Sequence, residues 1–189
     1  SGAFLLHSML RLIDSGAIRR EELSQYAAAK LWGFDFDSRA VRIAKAMMLM
    51  AGDGSANFAR VNSLVRENMS LFSADATGNG EHPFITIDDV CRSRMRGDKS
   101  FYVVLTNPPF AGEVREPEIL EGYRLGRGKK RVERDVLFIE RCVELLRPGG
   151  RMAIVLPHNK FAGSAFADVR DWLRKSTRIV AVVGLGRNT

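Results

Sequence analysis

The run Asn107-Pro108-Pro109-Phe110 joins an amide, a pair of prolines and an aromatic ring directly after the apolar stretch Phe101–Leu105. Proline fixes φ near about −65° and pushes the residue before it into extended geometry. Asn107 and Pro108 both precede a proline, so the backbone here is stiff. It holds a side-chain amide oxygen and a backbone carbonyl oxygen at fixed positions, with an aromatic ring beside them. Such a corner suits an aromatic amine, a poor nucleophile because its lone pair is delocalised into the ring. Acceptors on its N–H groups, the Asn107 side chain and the Pro108 carbonyl, favour a more tetrahedral nitrogen whose lone pair points at a methyl donor. They also stabilise the positive charge that develops there. Phe110 can stack on the ring. A base inside a duplex cannot reach such a pocket and has to be flipped out. A plain rigid turn is the alternative reading, and the position at a strand's carboxyl end weighs against it.

The elements that must hold this corner alternate between strand and helix. Residues 3 to 13 read as an amphipathic helix with Phe4, Leu5, Met9, Leu12 and Ile13 on one face. A second helix spans 20 to 30. A short strand over 31 to 36 ends at Asp35, and Asp37 or Ser38 caps a helix running to about Ala51, Asp37 being the better candidate. Phe58 to Leu64 reads as a strand ending near Asn62, and Asp75 to Glu81 as a loop. Phe101–Leu105 is apolar throughout, as in a strand covered on both faces of a parallel sheet. A long loop follows, to about Arg134. Asp135 is positioned to cap a helix through Leu146, with Phe138, Ile139, Cys142, Val143 and Leu146 inward. Met152–Leu156 is a strand, a helix runs from near Ser164 to about Lys175, and Ile179–Leu185 is a last strand. This order predicts an α/β fold with a doubly wound, mostly parallel sheet. Ligands of such sheets lie beyond the strands' carboxyl ends, which singles out Asp35, Asn62, Asn107 and Pro157.

The chain has 189 residues, 46% of them hydrophobic, and carries a formal net charge of +7 with a pI near 9.8. The size allows one domain with a sizeable core. The charge favours a polyanionic partner. The two cysteines, Cys91 and Cys142, form no C-x-x-C pair, and His7, His82 and His158 are scattered, so no metal is expected. A reducing cytoplasm fits, and there is no apolar run of membrane-spanning length. The abrupt opening at Ser1-Gly2-Ala3-Phe4 and the apolar close predict a fragment truncated at both ends.

Asn107-Pro108-Pro109-Phe110 resembles motif IV of the amino-methyltransferases, and other segments match in the same order. Ser1-Gly2-Ala3-Phe4-Leu5 resembles the tail of motif I. Gly33-Phe34-Asp35-Phe36-Asp37 resembles motif II, whose acid binds the cofactor ribose. Val61-Asn62-Ser63-Leu64 resembles motif III, which contacts the cofactor adenine. Leu137–Leu146 and the run from Arg147 to Pro157 resemble the later motifs of the modification subunit of type I restriction–modification systems. The resemblance implies a Rossmann-like methyltransferase sheet lacking its first strand and last hairpin strand. It implies S-adenosyl-L-methionine as methyl donor and DNA adenine N6 as acceptor. Ser1, Gly2, Ala3, Phe4, Asp35 and Asn62 would then face the cofactor. A specificity subunit and a restriction subunit are the implied partners. Phe166 falls where the family places a second aromatic near the flipped base, although a core position is the commoner fate of a Phe on an apolar helix face.

Six Lys or Arg lie between Arg124 and Arg134, within a basic loop at about 111–134. A charge run is ordinarily a solvated surface. After the proposed corner, Lys129, Lys130 and Arg131 can instead neutralise phosphates beside a flipped base, and the glycines predict a loop that orders on DNA. Two other functions stay open: methylation of RNA or of a protein glutamine, whose enzymes share Asn-Pro-Pro-aromatic, and a silent nucleic-acid-binding or assembly module.

Overall fold

The computed structural model describes residues 2–52, 57–66, 86–94 and 101–186. They fall into two compact units, Ser1–Lys99 and Ser100–Thr189. Helices and parallel strand pairs make both units of α/β type.

In the first unit, α1 (Ala3–Asp14) begins at Gly2, and a 3-10 turn (Arg20–Glu22) leads into α2 (Leu23–Lys30). Strand β1 (Gly33–Asp35), helix α3 (Ser38–Met50) and strand β2 (Phe58–Arg60) form a parallel crossover. Helix α3 packs on both strands and α1 packs on α3. The core comprises Met9, Leu23, Val41, Ala44, Met48 and Phe58. Gly33 is required by this packing. A Cβ there would stand 2.2 Å from the buried Phe58 ring. The Asn57 amide finishes α2, donating to the carbonyls of Ala28 at 2.7 Å and Leu31 at 3.0 Å. Helix α4 (Ile87–Arg94) opens on a capping box. Thr86 Oγ1 accepts from the Asp89 amide at 3.0 Å, and the Thr86 amide donates to Asp89 Oδ2 at 2.9 Å.

In the second unit, β3 (Phe101–Thr106) pairs in parallel with β6 (Leu146–Ile154), and α6 (Arg134–Leu145) packs on the pair. The expected cover on both faces of β3 is absent within this unit. Val103 and Leu105, on one side of the strand, are 51% and 37% exposed. A two-stranded sheet with α6 packed on it leaves that side open.

The long loop expected between Asn107 and Arg134 is instead folded. Strand β4 (Glu113–Val114) pairs antiparallel with β5 (Val132–Glu133), and α5 (Pro117–Glu121) lies between them. Leu120, Tyr123 and Leu125 are buried. The Glu140 carboxylate, itself 4% exposed, accepts the amides of Arg124 at 2.7 Å and Leu125 at 2.8 Å. That side chain does for the segment what a strand partner does elsewhere: it satisfies backbone donors that burial cuts off from water.

Helix α6 departs from a one-sided amphipathic pattern. Leu137, Glu140, Arg141 and Leu145 are buried alongside Ile139 and Cys142, whereas Phe138 and Val143 keep partial exposure. Asp135 does not cap it. The N-cap is Glu133, and Asp135 sits buried in the first turn. After α7 (Asn159–Ala162) a 3-10 turn (Ser164–Phe166) enters α8 (Ala167–Ser176). Ile179–Leu185 forms no strand, and Val180 and Val183 are 80% and 76% exposed. Apolar sequence makes a strand only where a neighbouring backbone pairs with it, and among the described residues none does. Among the described residues no helix is long and apolar enough to cross a membrane.

Glu140→Ala removes the acceptor for two amides, one of them fully buried. The expected loss is about 2–4 kcal/mol of unfolding free energy in urea denaturation. A loss below about 0.5 kcal/mol, an ordinary surface effect, would contradict the anchoring role.

Candidate active site

The Asn107 corner grows from the end of the β3–β6 ladder. Thr106 is paired with Ile154, and one further bond, from the Val155 amide to the Thr106 carbonyl at 3.1 Å, carries the pairing past the strand ends. Because the strands are parallel, Asn107 and the segment Leu156–Pro157 leave the sheet at the same edge. Pro108 is buried while Asn107, Pro109 and Phe110 are exposed, Phe110 at 49%. The first proline thus anchors a corner whose amide and ring reach solvent.

From the corner the chain passes Gly112, whose φ of +96° lies in the left-handed region that favours glycine. The Gly112 carbonyl accepts from the Arg134 amide at 3.1 Å, which ties the loop to the start of α6.

On the neighbouring segment, His158 is exposed at the N-cap of α7. Two residues on, Lys160 is buried. Its ammonium pairs with Glu133 Oε2, lies 3.4 Å from Asp135 Oδ2, and sits over the Phe166 ring at 4.0 Å from the centroid. Phe166 is half-buried, so the core position favoured for it from sequence does not hold. Its 3-10 turn presents the ring at the surface of the unit with the lysine beneath it. The sequence did not single out Lys160. A lysine pattern alone does not reveal burial, since Lys is mostly a surface residue.

The basic segment is tied to surface acids. Lys129 Nζ lies 3.3 Å from Asp168, and Arg131 lies 3.5 Å from Glu113. Lys130 is exposed. Exposed pairs of this kind hold weakly and can exchange for phosphate. Cys142 is no nucleophile: burial pushes its thiol up to about 12.

The first unit holds the residues assigned to the cofactor, apart from Ser1, which lies outside the described residues. Gly2 has φ +81°, and a Cβ on it would stand 2.9 Å from the Ala44 Cβ. Having no side chain, it leaves the first-turn amides of α1, including those of Ala3 and Phe4, without a side-chain cap. Phe4 is 45% exposed. Asp35 ends β1. Its Oδ1 accepts the Asp37 amide at 3.0 Å, and its carbonyl accepts the Val61 amide at 2.9 Å. Asp37 caps α3 through the Arg39 amide at 2.8 Å, as expected from sequence. Asn62 follows β2, its Oδ1 accepting the Leu64 amide at 3.2 Å. Since β1 and β2 are parallel in register, Asp35 and Asn62 emerge at the same edge. Asp35 offers a carboxylate acceptor, Asn62 an amide, and the start of α1 amide donors without a side-chain cap, groups of the kind that bind ribose hydroxyls, a nucleobase and a carboxylate. A cavity of about 260 Å³ in this unit lies elsewhere, among Leu6, Met9, Ile13 and Met50. Among the described residues no cluster of His, Cys, Asp or Glu could hold a metal ion.

The protein is of α/β type, and its Asn-Pro-Pro-Phe corner stands at the carboxyl end of a parallel strand, the position where open α/β sheets commonly bind ligands. Comparison with known families makes the class specific. Residues 29–189 match the Eco57I restriction-modification methylase family, and the chain belongs to that family. Membership makes the protein a methyltransferase of the restriction–modification class, with DNA as the implied substrate and S-adenosylmethionine as the implied donor. No curated protein matches the chain.

Burial, only partly offset by the Lys160 charge, pushes the Asp135 carboxyl above its ordinary 3.8. A group whose folded pKa is raised contributes stability that is full below the unfolded value and is lost as pH rises through the folded one. Asp135→Asn removes that loss. In denaturant titrations the stability of the variant relative to the wild type should therefore rise with pH through the carboxylate range. A difference that stays flat would show the carboxyl to be unperturbed.

Proposed function

We propose that the protein methylates the exocyclic N6 amine of a flipped-out adenine in DNA, on a doubly wound, Rossmann-like methyltransferase sheet. What supports the reading is the anchored corner. Pro108 is buried, Asn107 and Phe110 are exposed, and the whole sits at the carboxyl end of β3. In this reading the Asn107 Oδ1 and the Pro108 carbonyl accept the two N–H groups of the adenine amine. Their geometry draws the nitrogen toward tetrahedral and aims its lone pair. Both acceptors are set before the reaction begins, so little reorganisation accompanies charge development on nitrogen. Pro109 limits the corner's freedom. Phe110 stacks on one side of the base, and Phe166 is its second aromatic contact.

S-adenosylmethionine, when bound, supplies an electrophilic sulfonium methyl. The Asp35 carboxylate accepts from its ribose hydroxyls, the Asn62 amide nitrogen donates to its adenine, and Ser1, Gly2, Ala3 and Phe4 contact its methionine part. Lys129, Lys130 and Arg131 neutralise phosphates beside the flipped base. As in the type I modification subunits that the sequence resembles, a separate specificity subunit chooses the site.

Asn107→Ala should lower methyl transfer to unmethylated DNA by about a hundredfold or more while leaving the unfolding transition in place. The product of the wild type should be N6-methyladenine on nucleoside analysis. Label appearing in ribosomal RNA or on a release-factor glutamine instead would overturn the assignment.

Replacing Lys129, Lys130 and Arg131 together with Ala should weaken DNA binding to a similar degree whatever the sequence. The slope of log affinity against log salt should shrink by about three. Unchanged affinity at low salt would remove these residues from the interface.

A further inference from the structure

We propose that Lys160 is a positioning residue, which sets the plane of Phe166 for contact with the methyl-accepting base. The inference rests on the base-methylation reading above. Lys160 is 3% exposed, an unusual fate for an ammonium group, which is costly to bury unless it is paired. It is held from three sides: by Glu133 at the end of β5, by Asp135 in the first turn of α6 at 3.4 Å, and by the Phe166 ring at 4.0 Å. An ammonium within about 6 Å of a ring centroid is attracted to its face. The carboxylates fix where the ammonium sits, and the ammonium fixes which way the ring faces.

The ring needs such a constraint. It stands on a one-turn 3-10 segment, and the terminal torsion of a phenylalanine is broad and weakly selective. The backbone around Lys160 is secured separately. Arg170 Nη1 donates to the Lys160 carbonyl at 3.1 Å and to the Gly163 carbonyl at 2.7 Å. The lysine side chain is therefore free of the task of holding the turn. The same cluster meets the corner through the chain, because Glu133 pairs with Glu113 across the β4–β5 ladder and Arg134 bonds to Gly112. One buried cation thus links the second aromatic to the strand that follows Asn107-Pro108-Pro109-Phe110.

The test is a double-mutant cycle in the full-length protein, read by transfer of labelled methyl from S-adenosylmethionine to unmethylated plasmid DNA. Phe166→Ala, Lys160→Met and the double variant are compared, with Lys160→Arg as the conservative replacement. Lys160→Met should lower kcat by roughly 10- to 100-fold with KM for DNA little changed. Lys160→Arg should recover most of it, because a guanidinium also stacks on a ring. In the Phe166→Ala background the lysine change should add little. Equal losses with and without Phe166, or no loss at all, would overturn the proposal. If Lys160→Met does not fold, the cycle is run with Lys160→Gln, which also removes the charge but keeps a polar group for the buried carboxylates, and the same additivity would overturn the proposal. Asn107→Ala in the same assay separates the two ideas. Loss there with additive Lys160 effects sinks only the positioning role, whereas full activity there sinks the reading of the corner itself.

Discussion

The parallel ladder between β3 and β6 is the constraint on which the second unit depends. Parallel strands cannot be joined by a tight turn, so the chain between them must cross over and return. Here the crossover carries the corner, the β4–β5 hairpin, α5 and α6 before it rejoins the sheet at β6. Register then does the rest. With Thr106 opposite Ile154 and the Val155 amide bonded to the Thr106 carbonyl, both chains are released at one edge. A shift of one residue would turn every side chain of β3 to the opposite face. It would also move the first proline out of its buried position.

Charge inside this unit is organised rather than avoided. Three charged side chains of α6, Asp135, Glu140 and Arg141, are buried, and Lys160 joins them from α7. Each faces a definite partner: Glu140 takes two backbone amides, Arg141 approaches Glu144 at 3.7 Å, and Asp135 meets Lys160. An apolar helix of the same volume would be spared the cost of burying these charges. What it could not do is hold the 111–134 segment by its backbone or fix an ammonium beneath Phe166. These charges are best understood as devices that set positions.

Periodic segments could be read from the sequence because period alone specifies them. The strand Phe101–Thr106, the helices over 3–14, 38–50 and 134–145, and the Asp37 cap all follow from local pattern. The short strands β4 and β5 have two residues each and show no period, so the folded segment between Asn107 and Arg134 passes for a loop. Its decisive contact joins Glu140 to amides 15 and 16 residues earlier, which no window of local sequence contains. Lys160 and Glu133 stand 27 residues apart and escape for the same reason. The capping box at Thr86 and Asp89 was a local signal, but a helix of eight residues beside it gives little periodicity to confirm it. Ile179–Leu185 errs in the other direction, since apolar composition favours a strand without supplying the neighbour that a strand needs.

At the candidate site, the corner was legible and its surroundings were not, and the difference has a chemical meaning. Asn107 and the proline carbonyl do not titrate in the physiological range, so the proposed chemistry at the amine calls for no general base with a tuned pKa. Such a site can be written in four consecutive residues, because backbone stiffness replaces a network. The titratable groups nearby, Asp135, Glu133 and Lys160, form a network, and networks are assembled by the fold. On this view the sequence motif carries the reaction, while the buried charges set the posture of the aromatic ring that meets the base. Selection for the reaction and selection for that posture then act on different residues. A corner retained without its lysine would keep the acceptors and lose control of how the base is presented to them.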